Sequence, residues 1–196
     1  MLKEKNSLIL IVIAISLLAC SRPPWVETYT RAPSQLVLFQ QAFINYAWGY
    51  QNRGWFVDRD GYVKAYRVSG NADSWNLAEK TGPDSGYIAQ AALEENYALA
   101  DRIIYQVPSK ELAEKYSLIA QAAEGPYSPR TQTAFDAGAV YFIAYMPDQD
   151  RSMYRQVLLS LSGDFSRFNE NPAAQELEKW LVGINQIYAD SLARQK

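Results

Sequence analysis

The chain has 196 residues, 19 basic and 21 acidic side chains, a net charge of −2, no histidine and one cysteine. That inventory removes metal sites built on histidine and cysteine, Ser-His and Cys-His nucleophiles, and structural disulfides. It holds no basic cluster, so nucleic acid is not an expected partner, and no cofactor or metal site is expected. Any chemistry must rest on Asp, Glu, Tyr, Lys, Arg or Ser.

Met1 to Ser7 is polar, with Lys3 and Lys5 on either side of Glu4, and Leu8 to Leu18 is an apolar run softened only by Ser16. As a helix that run rises about 16 Å against a hydrocarbon core of roughly 30 Å, too short to span it. A basic start, a short apolar core and a small residue before a cut are the parts of a secretory signal peptide. Leu17-Leu18-Ala19-Cys20 resembles the lipobox of bacterial lipoproteins. The resemblance implies diacylglycerol on the Cys20 thiol, cleavage between Ala19 and Cys20, and acylation of the new amine. Such a chain is anchored to a membrane rather than spanning it. In lipoproteins of Gram-negative bacteria an Asp after the cysteine signals retention in the inner membrane. Ser21 at that position implies the outer membrane, with the protein facing the periplasm.

The expected organisation is therefore a cleaved signal (1–19), a lipidated cysteine with a short tether stiffened by Pro23-Pro24 (20–33), and a single domain (34–196). A domain of that length buries a core without staples. Ser34 opens a predicted helix with Leu36, Phe39, Phe43, Tyr46 and Tyr50 at three- and four-residue steps. Gly49, Asn52 and Gly54 end it. The segment 55–68 is the one predicted β-hairpin, turning through Arg59-Asp60-Gly61 with Gly61 in the left-handed position of a bulge. Val57 then faces Val63, Trp55 faces Ala65, Phe56 faces Lys64 and Asp58 faces Tyr62, which best separates an apolar face from a mixed one.

Beyond the hairpin the periodicity predicts helices: 74–81, Gly86 to Gln106 before Pro108, and a segment from a capping Ser109 to Glu124 that closes at Gly125. A further helix starts at Ser128-Pro129, and its part from Ala134 to Met146 is apolar nearly all round, hence the expected buried centre. Pro147-Asp148 breaks it, another runs to about Leu161, and Asn171-Pro172 caps a last helix with Leu177, Trp180, Leu181, Ile184, Ile187 and Tyr188 inward. The expected fold is mostly α: a compact bundle of five or six helices with one inserted hairpin.

Three acidic features invite chemistry. Asp58-Arg59-Asp60-Gly61 resembles the start of a calcium loop, but the further oxygen ligands are missing and a tight turn needs the same residues. Glu94 and Glu95 are adjacent and, on a helix, diverge by about 100°. Asp136 falls at the edge of the apolar Ala134–Met146 segment, where a carboxylate needs a partner. Fourteen tyrosines and five tryptophans are mostly at core spacing. Phe56, Tyr62, Lys64 and Tyr66, on the hairpin's mixed face, escape that account and form the expected recognition surface. The expected function is that of a non-enzymatic, lipid-anchored envelope protein that binds or positions another envelope protein. The alternative is a cell-envelope glycan binder, or an enzyme cleaving glycans with two carboxylates.

Overall fold

A computed structural model describes residues 34–47, 49–69, 79–80, 86–148 and 152–194. The signal peptide, Cys20 and the tether lie outside them, as do residues 74–78 and 81 of the expected short helix, whose residues Glu79–Lys80 are a strand instead. Ten strands and four helices occur among the described residues, so the expected helical bundle is overturned. In chain order they are β1 (Val37–Asn45), β2 (Gln51–Asp58), β3 (Tyr62–Ser69), β4 (Glu79–Lys80), β5 (Gly86–Ala89), α1 (Gln90–Ala98), β6 (Arg102–Gln106), α2 (Ser109–Ser117), α3 (Ile119–Ala122), β7 (Thr131–Gln132), β8 (Ala139–Asp148), β9 (Met153–Gly163), β10 (Phe165–Phe168) and α4 (Pro172–Ala193).

The strands form one antiparallel sheet in the order β4-β5-β9-β8-β1-β2-β3-β6, with β10 attached to β9 and β7 to β10. β1 is central, paired with β2 on one side and β8 on the other. The sheet is covered on both faces, so β1 is buried continuously from Val37 to Ala42. A strand buried on both faces shows no apolar–polar alternation and reads as a plain apolar run, the pattern of a buried helix. The same holds for β8 and β9, where the sequence suggests helices. Pro147 belongs to β8, at a point where the strand has run past β1 and pairs with β9 alone. The predicted helix at Gly86–Gln106 is three elements, and only Gln90–Ala98 is helical.

Three local readings agree with the structure. The hairpin has Val57 opposite Val63, Trp55 opposite Ala65 and Phe56 opposite Lys64, and Gly61 is left-handed at φ 82°. Helical structure runs from Ser109 through α3 and closes at Gly125, φ 70°; Pro108, not Ser109, holds the cap position, and no side chain caps it. α4 starts where Asn171 Oδ1 accepts the Ala173 N–H at 2.9 Å, with Pro172 at the first position. Its buried stripe Leu177, Leu181, Ile184 and Tyr188 follows the helical repeat.

Two cores result. On one face Phe39, Trp55, Val57, Val63, Phe142 and Leu159 meet Leu112 of α2, Ile119 of α3 and the α4 stripe. Leu177 and Leu181 are fully buried, each contributing about 1.5–3 kcal/mol. The indole N–H of Trp180 donates to Glu111 at 2.6 Å, and Lys115 pairs with Glu176 at 2.7 Å, clamping α4 to α2. On the opposite face Phe56, Tyr66, Ile143, Tyr145 and Tyr154 pack against Leu93 and Tyr97 of α1.

Candidate functional site

The tight turn after β2 begins with Asp58, which is 2% exposed. Its Oδ1 accepts the backbone N–H of Asp60 at 3.0 Å and of Tyr62 at 2.9 Å, closing the turn. Its Oδ2 accepts the Tyr97 hydroxyl at 2.5 Å, and Lys64 Nζ stands 3.9 Å away and 4.6 Å above the Tyr97 ring. Both carboxylate oxygens thus receive hydrogen-bond donors, the surroundings of a turn-forming latch rather than of a cation ligand. Burial, then the hydrogen bond and charge of Asp58, push the Tyr97 phenol up, so it remains a neutral donor. The latch pins α1 to the hairpin.

That placement corrects the expected recognition surface. Phe56 is fully buried and Tyr66 is 3% exposed; their rings stack at 5.0 Å, and Phe56 meets Tyr97 edge-on at 6.0 Å. Tyr62 and Lys64 are half-buried. The pleat separates the faces as the sequence implies, but α1 covers the mixed face and makes it a second core.

Beneath α1 runs a chain of buried polar groups. The Tyr145 hydroxyl donates to Gln40 Oε1 at 2.5 Å, and Gln40 Nε2 donates to the Tyr66 hydroxyl at 2.8 Å. The Tyr66 hydroxyl donates to Asn52 Oδ1 at 3.2 Å, and Asn52 Nδ2 donates to the Tyr50 hydroxyl at 3.1 Å. Burial raises the Tyr66 and Tyr145 hydroxyls well above the usual phenol value. The chain crosses β8, β1, β2 and β3 and satisfies groups that would each be costly if orphaned. Gln40 and Tyr145 are absent from the sequence reading, which takes Asn52 only as a helix end. The available signal was Gln40-Gln41 in the middle of an apolar run, where a buried amide requires a partner.

The chain ends at the surface. Tyr50 is half-buried and its ring lies 5.4 Å from that of Tyr46, which is 64% exposed, while Phe135 is 81% exposed. The loops bearing Tyr46 and Phe135 are joined where Asn45 Nδ2 donates to the Asp136 carbonyl at 3.3 Å. Arg130 stacks on Phe165 at 4.1 Å and Arg53 on Phe43 at 4.4 Å. Asp136 is exposed, in a left-handed conformation (φ 59°) in the loop before β8; it is not at the edge of a buried helix. Glu94 accepts from Gln90 Nε2 at 2.9 Å on exposed α1 surface.

At the other end of β1, Ser34, Gln35, Gln90, Asp148 and Tyr154 are among the residues lining a cleft of about 260 Å³. No family model matches the chain, and no curated protein and no solved structure matches it either.

Proposed function

We propose that the chain is a lipid-anchored envelope protein that holds another envelope protein at the membrane surface without catalysing a reaction. The anchor rests on Leu17-Leu18-Ala19-Cys20 and its resemblance to a lipobox; Ser21 favours the outer membrane, facing the periplasm. The observation that carries the binding role is the exposed aromatic end, where Tyr46 and Phe135 project from joined loops beside half-buried Tyr50. Tyrosine and arginine are enriched among the residues that dominate interface energetics; Tyr46 and Tyr50 pair their rings, and Arg53 and Arg130 stack on Phe43 and Phe165.

Among the acidic groups that invite chemistry, Asp58 is engaged inside, in its turn, and Glu94 accepts from Gln90 at the surface, whereas Asp136 is exposed.

The test is retention of a cross-linked envelope protein by the lipidated chain, with mass spectrometry confirming lipid on Cys20. Tyr46→Ser with Phe135→Ser should abolish retention and leave the melting temperature unchanged. Retention equal to the wild type, or an unmodified Cys20 thiol on the mature protein, would overturn the reading.

A further inference from the structure

We propose that β6 is a strand-accepting edge that takes an extended segment of a partner protein as an added strand of the sheet. The proposal rests on the binding role above and adds where a partner engages and in what conformation.

The two ends of the sheet differ. At one end β4 is only two residues long, Glu79–Lys80, and a very short strand is a poor edge for pairing. At the other, β6 is Arg102-Ile103-Ile104-Tyr105-Gln106, a run of β-branched and aromatic residues that pairs with β3 alone. Among the described residues, no backbone hydrogen bond outside that ladder involves Arg102 to Gln106. Among the described residues, one side of the β6 backbone therefore has no hydrogen-bond partner.

The side chains prepare the same edge for company. Ile104 and Tyr105 pack on the first core, which holds the strand rigid. Ile103, opposite Lys64 on the α1 side, is 57% exposed, and Leu99, where α1 ends just before β6, is 45% exposed. An incoming strand satisfies the free backbone groups and places every second side chain beside Ile103, which is how added strands combine affinity with specificity. The shift in pairing between Val63 and Lys64 bends the edge, so the acceptor is short.

The size of the edge selects its occupant. Two five-residue edges laid together bury far less than the roughly 1,200–2,000 Å² of a stable interface, so a second copy is a poor fit. The edge suits an extended segment of another protein with an apolar residue opposite Ile103 and polar neighbours.

The experiment uses the full lipidated chain in detergent and a synthetic peptide of about ten alternating valines and threonines as probe. Its control is the same peptide N-methylated at alternate amides. Saturable binding, slowed amide exchange at Ile103–Gln106 and loss of both with the methylated peptide are expected. Ile103→Lys should weaken binding about tenfold at an unchanged melting temperature, since its side chain is exposed. No binding, or equal binding by the variant or the methylated peptide, would overturn the proposal. So would β6 amides already protected before peptide is added, or a dimer that Ile103→Lys dissociates, because the edge would then belong to this chain or its copy. The Tyr46→Ser, Phe135→Ser variant should bind the peptide unchanged. An envelope partner retained without peptide binding sinks the edge alone; peptide binding with no envelope partner sinks the wider reading alone.

Discussion

Replacing Gln40 by leucine cuts the buried polar chain at its centre. The substitution nearly conserves volume, so packing changes little. It removes the hydrogen bond received from Tyr145 at 2.5 Å and the one given to Tyr66 at 2.8 Å, each worth about 1 kcal/mol net. The Tyr145 hydroxyl, on a side chain 1% exposed, then loses its acceptor, at a cost of about 1–3 kcal/mol. Gln156, also beside that hydroxyl, sets the lower end, whereas Tyr66 keeps Asn52 as its acceptor. The expected destabilisation is about 2–4 kcal/mol, or roughly 5–15 °C in melting temperature for a domain of this size. Equilibrium urea unfolding followed by tryptophan fluorescence measures it. Because Tyr145→Phe deletes the orphaned hydroxyl, the double variant should be less destabilised than the sum of the two single variants. A Gln40→Leu protein within about 0.5 kcal/mol of the wild type, or strict additivity with Tyr145→Phe, would refute the network.

Two further outcomes follow from close backbone contacts and from burial. Gly61→Val should cost about 1–3 kcal/mol, because φ is 82° and a Cβ would lie 2.5 Å from the Val107 carbonyl oxygen; Gly54→Ala should cost more, since its Cβ would fall on the Gln41 carbonyl and force β1 from β2. Urea midpoints equal to the wild type in both would refute the strand geometry. Burial holds the Tyr66 and Tyr145 hydroxyls protonated above the ordinary value of 10.0, so the native state keeps protons that the unfolded chain releases. Their stabilisation is complete below that pH and is lost as pH rises above it, at up to about 1.4 kcal/mol per pH unit for each tyrosine. Urea midpoints from about pH 8 to about pH 11 should fall beyond pH 10, less steeply in Tyr66→Phe; a flat profile would refute the burial argument.

What was legible in the sequence was what short-range physics decides. The hairpin register follows from alternation at Trp55, Val57, Val63 and Ala65 and from a turn that needs Asp58 and a left-handed Gly61. α4 follows from the Asn171-Pro172 cap and a 3.6-residue apolar repeat. In both, the residues that specify the element lie within a few positions of one another.

The candidate site was less legible, because exposure depends on which distant element covers a face. Phe56 and Tyr66 do point to the face opposite Trp55 and Val57, but only the docking of α1 through Leu93, Tyr97 and Asp58 turns that face into core. Tyr46 falls at the spacing of an inward helical stripe and Phe135 inside the apolar Ala134–Met146 segment, so in the sequence both exposed rings pass for helix core. Segments β1, β8 and β9 are apolar on both sides because helices cover both faces of the sheet they build, and that erases the alternation by which a strand is recognised. Their identity comes from one another: β1 is a strand because β2 and β8 supply its backbone partners, the latter about a hundred residues away in the chain. Turns and caps were determined by the sequence locally. The sheet, its buried polar chain and its open edge were decided by tertiary structure, because backbone hydrogen bonds between strands are settled only when distant segments meet.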